Sequence, residues 1–121
     1  MADTIAAIST AQAPGGIGLI RVSGPQAHAI AGRVFTAKNG NPLSAAKGYT
    51  AHYGRVHEAS FSPESGVSVE NPEDIDEAIA IVYRGPASFT GEDVAELSCH
   101  GGLYLLRRTL RALCEAGARP A

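Results

Sequence analysis

No apolar run in this chain approaches the ~20 residues that a membrane-crossing helix needs, and residues 1–5 (MADTI) carry neither the basic opening nor the apolar segment of an export signal. A cytoplasmic protein with no membrane contact is therefore expected. Cysteine is scarce. Cys99 and Cys114 have no C-x-x-C spacing, which points to reduced thiols and away from a disulfide framework. Basic charge is not in excess either: ten Lys and Arg face twelve Asp and Glu, for a net charge of −2 and a pI near 6.0. That excludes this surface as a basic platform for nucleic acid, although not a role in RNA chemistry for a larger parent. Both lysines, Lys38 and Lys47, lie in loop-like sequence, and no G-x-x-x-x-G-K-[ST] run exists, so this chain alone is not a P-loop nucleotide hydrolase. Gly16 and Gly18 resemble the opening of a dinucleotide fingerprint, but Arg21 occupies the third glycine position and the glycines precede a strand pattern. Internal repeats and a second domain are also lacking.

What is present suffices for one core: 121 residues, 45% of them apolar. Residues 4–9 (TIAAIS) and 17–22 (IGLIRV) read as strands separated by the Pro-Gly-Gly break at 14–16. Ser23, Gly24 and Pro25 form a helix-entry signal, with Ser23 or Gly24 as cap and Pro25 in the first turn. Ala27, Ile30, Ala31 and Val34 then follow at helical spacing, predicting an amphipathic helix that ends near Phe35. Residues 38–48 are loop-like, 49–57 alternate as a strand, and 59–74 read as a surface hairpin tip. Residues 75–83 (IDEAIAIVY) are expected to form a central strand buried on both faces. Residues 94–99 form a further strand. The last helix, 103–116, carries an apolar stripe of Leu103, Leu106, Leu110 and Leu113, an arginine face of Arg107, Arg108 and Arg111 expected to be solvated, and Gly117 at its C-terminal cap. The order β-β-α-β-β-β-α predicts an α+β domain: a mixed β-sheet of about five strands with two main helices packed on one side. The chain stops as this helix ends, so it is expected to be cut at a domain boundary.

The chemistry concentrates in residues 88–102 (SFTGEDVAELSCHGG). Pro86 and Gly91 favour a turn, and the strand that follows puts Leu97 and Cys99 on one face and Val94, Glu96, Ser98 and His100 on the other. Burying the Glu96 carboxylate unpaired costs several kcal/mol. Arg21, between Ile20 and Val22, poses the same problem for a cation. Two readings follow. Arg21 and Glu96 form an ion pair across the sheet, or both line a pocket in which Glu96 accepts two parallel hydrogen bonds from an amidine-like edge, as a pterin or guanine ring presents. Arg21 would then meet a ligand carbonyl or carboxylate, and Phe89 would supply a flat apolar wall. Weaker signals are Cys99 and His100, neighbours that point to opposite faces and so make a poor nucleophile and base. A metal site from His100, Glu92 and Asp93 lacks a second well-spaced histidine. Asp93 is better suited to ordering the turn through backbone N–H groups.

At these residues the sequence becomes familiar. Residues 3–7 (DTIAA), 15–24 (GGIGLIRVSG), 86–96 (PASFTGEDVAE) and 100–102 (HGG) resemble the N-terminal domain of the tRNA modification GTPases of the MnmE family, also called TrmE. The resemblance runs from Asp3 to the last residue. It implies that residues 1–121 are an N-terminal folate-binding and dimerisation domain, similar to the tetrahydrofolate-binding domains of one-carbon enzymes. It implies a 5-formyl- or 5,10-methylene-tetrahydrofolate ligand, contacted at Arg21 and Glu96 with Phe89 nearby, and no catalytic or metal-ligating residue in these positions. A helical domain and an inserted G domain using GTP, magnesium and potassium would lie beyond the C-terminus, as would a lysine that completes the pocket. The implied assembly is a homodimer that works with the flavoprotein MnmG on C5 of the tRNA wobble uridine. The sequence departs from the family at residues 11–14 (AQAP), where a basic residue after a Pro-Gly pair is common. At Phe89 tyrosine is also common in the family.

Overall fold

The computed structural model describes residues 3–9, 17–86 and 91–121. In chain order they form strands β1 (Ile5–Ile8) and β2 (Gly18–Ser23), helix α1 (Ala27–Gly32), and strand β3 (Phe35–Ala37). Strands β4 (Thr50–His57), β5 (Phe61–Ser62), β6 (Val67–Ser68), β7 (Asp74–Tyr83) and β8 (Val94–Cys99) follow, then helix α2 (Leu103–Glu115) and strand β9 (Arg119–Pro120). Seven strands make one sheet in the order β3-β4-β7-β8-β2-β1-β9, and β5 and β6 pair as a small separate hairpin. Every pairing in the large sheet is antiparallel except that of β1 with β9, which makes the sheet mixed. The α+β expectation is met. The five longer strands are the ones anticipated, and short β3 and β9 extend the sheet at its two edges.

Both helices pack against one face. Ala6, Ile20, Val22, Ala80, Val82 and Leu97 from the sheet meet Ile30, Ala31, Leu106 and Leu113 from the helices in a single buried cluster. Fully burying Ile20 or Leu97 contributes roughly 2 kcal/mol each, so this layer supplies the main driving force. Gly18 belongs to the same face because a β-carbon there would sit 2.7 Å from the end of Leu106. It makes room for α2.

Several local expectations change. Helix α1 is only six residues long, and Phe35 opens strand β3 because Val34 and Arg33 carbonyls accept bonds from His57 and Ser60. Its entry is not capped by Ser23 or Gly24: Gln26 is the N-cap, and its backbone N–H donates to Thr4 Oγ1 at 2.9 Å. Strand β7 lies inside the sheet but is buried on one face only. Ala78, Ala80 and Val82 are covered, whereas Ile79 on the other face is 39% exposed. The buried stripe of α2 is Leu106, Thr109, Ala112 and Leu113, with Leu103 exposed, because the helix lies on the sheet through its later turns. Gly117 has a positive φ of 124°, consistent with the expected helix stop. Residues 59–74 do contain a surface hairpin, β5–β6.

The closest backbone approach is at Gly54, where an added β-carbon would lie 2.1 Å from the Thr36 carbonyl oxygen and 2.9 Å from Ala37 Cα. Neither atom can yield without breaking the β3–β4 pairing. Gly54→Ala is expected to lower unfolding free energy by about 3 kcal/mol. Gly32→Ala, where nothing lies within 4 Å of the new carbon, is expected to raise it by about 0.5 kcal/mol. Urea denaturation midpoints of the two variants check the contrast.

Candidate functional site

Alternation along β8 sends Ala95, Leu97 and Cys99 into the core and Glu96 to the opposite face, called here the open face. Antiparallel register then sets a row across the sheet: Ala7 faces Arg21, Arg21 faces Glu96, Glu96 faces Ile81, and Ile81 faces Ala51. Glu96 thus sits on the central strand with apolar side chains at both ends of its row. It is 6% exposed. Arg21 Nε and Nη2 both donate to Glu96 Oε2, at 2.9 and 2.6 Å, while Tyr83 O–H from β7 donates to Oε1 at 3.1 Å. The first of the two sequence readings, an ion pair across the sheet, is therefore the arrangement seen. Charge-assisted bonds and the 36% exposure of the arginine side chain limit what this burial costs.

The bond count leaves chemical capacity. A carboxylate offers about four lone-pair positions. Two donors crowd onto Oε2 and one hydroxyl meets Oε1, so Oε1 can still accept an N–H. Gripping an amidine edge with both oxygens requires Arg21 to release Oε2.

Tyr83 is the partner that sequence reasoning missed. Its place in β7, one residue beyond buried Val82, fixes its face, but no local signal gives the register between β7 and β8. Partial burial pushes its phenol up from the usual 10.0, and the bond to the Glu96 carboxylate adds to this. Tyr49, just before β4, sets its ring edge-on against Tyr83, with centroids 5.5 Å apart and planes at 88°.

Phe89, the expected wall, lies outside the described residues, as do residues 10–16. The neck of the 84–93 loop that carries Phe89 is described. His28 on α1 donates from Nε2 to the Tyr83 and Val94 carbonyls at 3.0 and 3.1 Å, so one buried imidazole fixes the end of β7 and the start of β8. Asp93 Oδ1 accepts the Gly85 N–H at 3.0 Å, the turn-ordering role expected of it. Arg84 binds the Ala46 and Ser44 carbonyls and so ties the loop neck to residues 44–46. At the far end of β8, Asp76 Oδ2 accepts the N–H groups of His100 and Gly101.

The other candidates separate. Cys99 is 2% exposed, and burial, aided by the Asp76 charge, pushes its thiol up to about 11 against a small opposing effect of a hydrogen bond with Thr109. His100 is exposed beyond the strand end. Among the described residues no group of three or more His, Cys, Asp or Glu gathers as a metal site. Arg107 and Arg111 are exposed as expected. Arg108 is not solvated: it donates at 2.7 Å to both Glu58 and Glu73, pinning α2 to the segments flanking the hairpin. A cavity of about 700 Å³ lies toward the β3 edge, bordered by Thr36, Lys38, Tyr53, Arg55, His57 and Asp74. Four of its polar groups pair with one another: His57 with Thr36 at 2.8 Å, and Arg55 with Asp74 at 2.9 Å.

The family model described as "GTP-binding protein TrmE N-terminus" matches residues 4–121. The chain is 45% identical over 119 residues to the tRNA modification GTPase MnmE of Symbiobacterium thermophilum, covering 98% of this chain and 24% of that protein. It is 45% identical over 120 residues to the protein of the same name from Bacteroides fragilis, covering 98% and 23%. The corresponding figures for Carboxydothermus hydrogenoformans are 41% over 121 residues, with 100% and 24% covered. The chain spans about a quarter of the length of these curated relatives.

Two outcomes follow from the site. The folded state holds the Tyr83 proton more tightly than the unfolded chain does, so this contribution to stability is complete below about pH 10 and lost as pH rises through the folded value. Tyr83→Phe is expected to flatten that alkaline decline in melting temperature. Cys99, its thiol pushed up to about 11, is expected to alkylate at pH 8 roughly 100-fold more slowly than an ordinary thiol until the protein is denatured, as mass spectrometry of iodoacetamide adducts would show.

Proposed function

The chain belongs to the TrmE N-terminal family, and from that membership we propose that it is the tetrahydrofolate-binding and homodimerisation domain of a GTPase acting in tRNA modification. The single observation that carries the folate reading is the Glu96 carboxylate, held on the open sheet face by Arg21 and Tyr83 with accepting capacity left at Oε1. A pterin ring presents adjacent N–H and NH₂ donors along one edge, the complement of a carboxylate. Glu96 binds and orients that edge. Arg21, released from Oε2, meets a ligand carbonyl or carboxylate. Phe89, the flat wall expected from the sequence, covers the ring. None of these groups turns over a substrate; their work is to hold a 5-formyl- or 5,10-methylene-tetrahydrofolate, whose bound form supplies a one-carbon unit. GTP hydrolysis with magnesium and potassium, tRNA wobble uridine as substrate and the flavoprotein MnmG as partner belong to the whole assembly, which works in the cytoplasm.

The dimerisation reading rests on the same face. Tyr53 and Ile79 are exposed there although they are large and apolar, and a second copy would cover them. One observation favours a rival in which assembly is the whole role. Arg21, Glu96 and Tyr83 already satisfy one another, and among the described residues no buried side-chain polar atom lacks a partner.

Calorimetry with 5-formyltetrahydrofolate on the parent-length protein separates the two. The folate reading expects wild type to bind and Glu96→Ala to weaken binding by roughly 30-fold, the loss of hydrogen bonds to a charged acceptor. Equal binding by the variant removes Glu96 from the site, and no binding by wild type leaves the scaffold. Sedimentation velocity addresses assembly: the wild-type chain is expected to run as a dimer and Ile79→Asp as a monomer, and a wild-type monomer would overturn that part.

A further inference from the structure

We propose that Tyr49 is a ligand-contacting residue: its ring forms, with Tyr83, an aromatic corner that receives the flat ring system of the molecule bound at Glu96. The inference rests on the folate reading above and adds a specificity-determining residue to it.

The starting observation is conformational. Tyr49 has φ of 61°, and among the described residues it is the non-glycine residue in that left-handed region. The left-handed region disfavours any residue with a β-carbon. Gly48, immediately before it, would tolerate such a conformation and does not adopt it.

Strain of this kind persists only where the surroundings over-determine it, and they do. The Tyr49 N–H donates to the Val82 carbonyl at 2.7 Å. Thr50 Oγ1 donates back to the Lys47 carbonyl, and Arg84 holds the Ala46 and Ser44 carbonyls. The approach to β4 is thus fastened on both sides of Tyr49.

The tyrosine stays 66% exposed in this conformation. What the conformation achieves is placement. The ring stands edge-on to Tyr83 at 5.5 Å, and Tyr83 in turn donates to Glu96. Two perpendicular rings form a corner in which a third ring can lie flat on one and meet the edge of the other, both favoured aromatic geometries. The carboxylate beyond Tyr83 provides the polar end. A ligand with a flat ring system and an N–H-bearing edge matches the whole arrangement.

The test uses the parent-length protein and 5-formyltetrahydrofolate. Glycine at position 49 relieves the backbone while deleting the ring, so affinity and stability should move in opposite senses. Tyr49→Gly is expected to weaken calorimetric binding about 10-fold with a melting temperature equal to or above wild type. Tyr49→Phe, which keeps the ring, is expected to bind within about twofold of wild type. Wild-type affinity in Tyr49→Gly overturns the proposal, as does an affinity loss accompanied by a lower melting temperature or by dissociation of the dimer in sedimentation. Failure of the underlying reading is distinct: wild type itself would not bind, or Glu96→Ala would bind as tightly as wild type.

Discussion

A carboxylate on the middle strand of a sheet is the constraint that the surrounding structure answers. Glu96 is nearly inaccessible, so its charge must be met by protein groups, and three neighbouring strands of the sheet converge to do so: β2 with Arg21, β7 with Tyr83, and β8 itself. Strand register is therefore more than a matter of packing. A one-residue slip of β2 against β8 would turn Arg21 into the hydrophobic layer and leave Glu96 unpaired, adding an electrostatic penalty to the loss of core contacts. The ion pair and the core enforce the same alignment.

The sheet is two-faced for the same reason. Its helix-covered side is made of Ala, Val, Ile and Leu at alternate positions, and α1 and α2 complete that layer. The open side mixes tyrosines and isoleucines with the charged pair. Apolar surface of that kind next to a satisfied charge suits an interface or a ligand more than bulk water. This composition links the assembly and folate proposals, since both place a partner on one surface.

The loop joining β7 to β8 shows how the fold supports that surface. His28 reaches from α1 to the carbonyls at both strand ends, Asp93 closes the neck onto Gly85, and Arg84 fastens it to residues 44–46. Helix packing on the covered side is thereby transmitted to the edge of the open side. The segment preceding Tyr49 is held through the same arginine, so the two ends of the aromatic corner share an anchor.

Periodicity made much of this legible in advance. The five longer strands and α2 could be read from alternation and helical spacing, and the α+β class followed. Glu96 and Arg21 stood out because a charge in an apolar strand demands an explanation, and their pairing was one of the two answers available. Strands β3 and β9, at three and two residues, are too short to have a period, and α1 reads longer in sequence than it is because Val34 and Phe35 fit a helical face as well as a strand start. Sequence by itself determined which side chains are apolar, which are charged and which face of its own strand each must take. Tertiary structure alone decided that Tyr83 meets Glu96, that Arg108 binds Glu58 and Glu73, and that β7 keeps one face uncovered. Those outcomes depend on contacts between separate elements, 13 positions apart for Tyr83 and Glu96 and 50 for Arg108 and Glu58, and only closure of the whole sheet fixes their register.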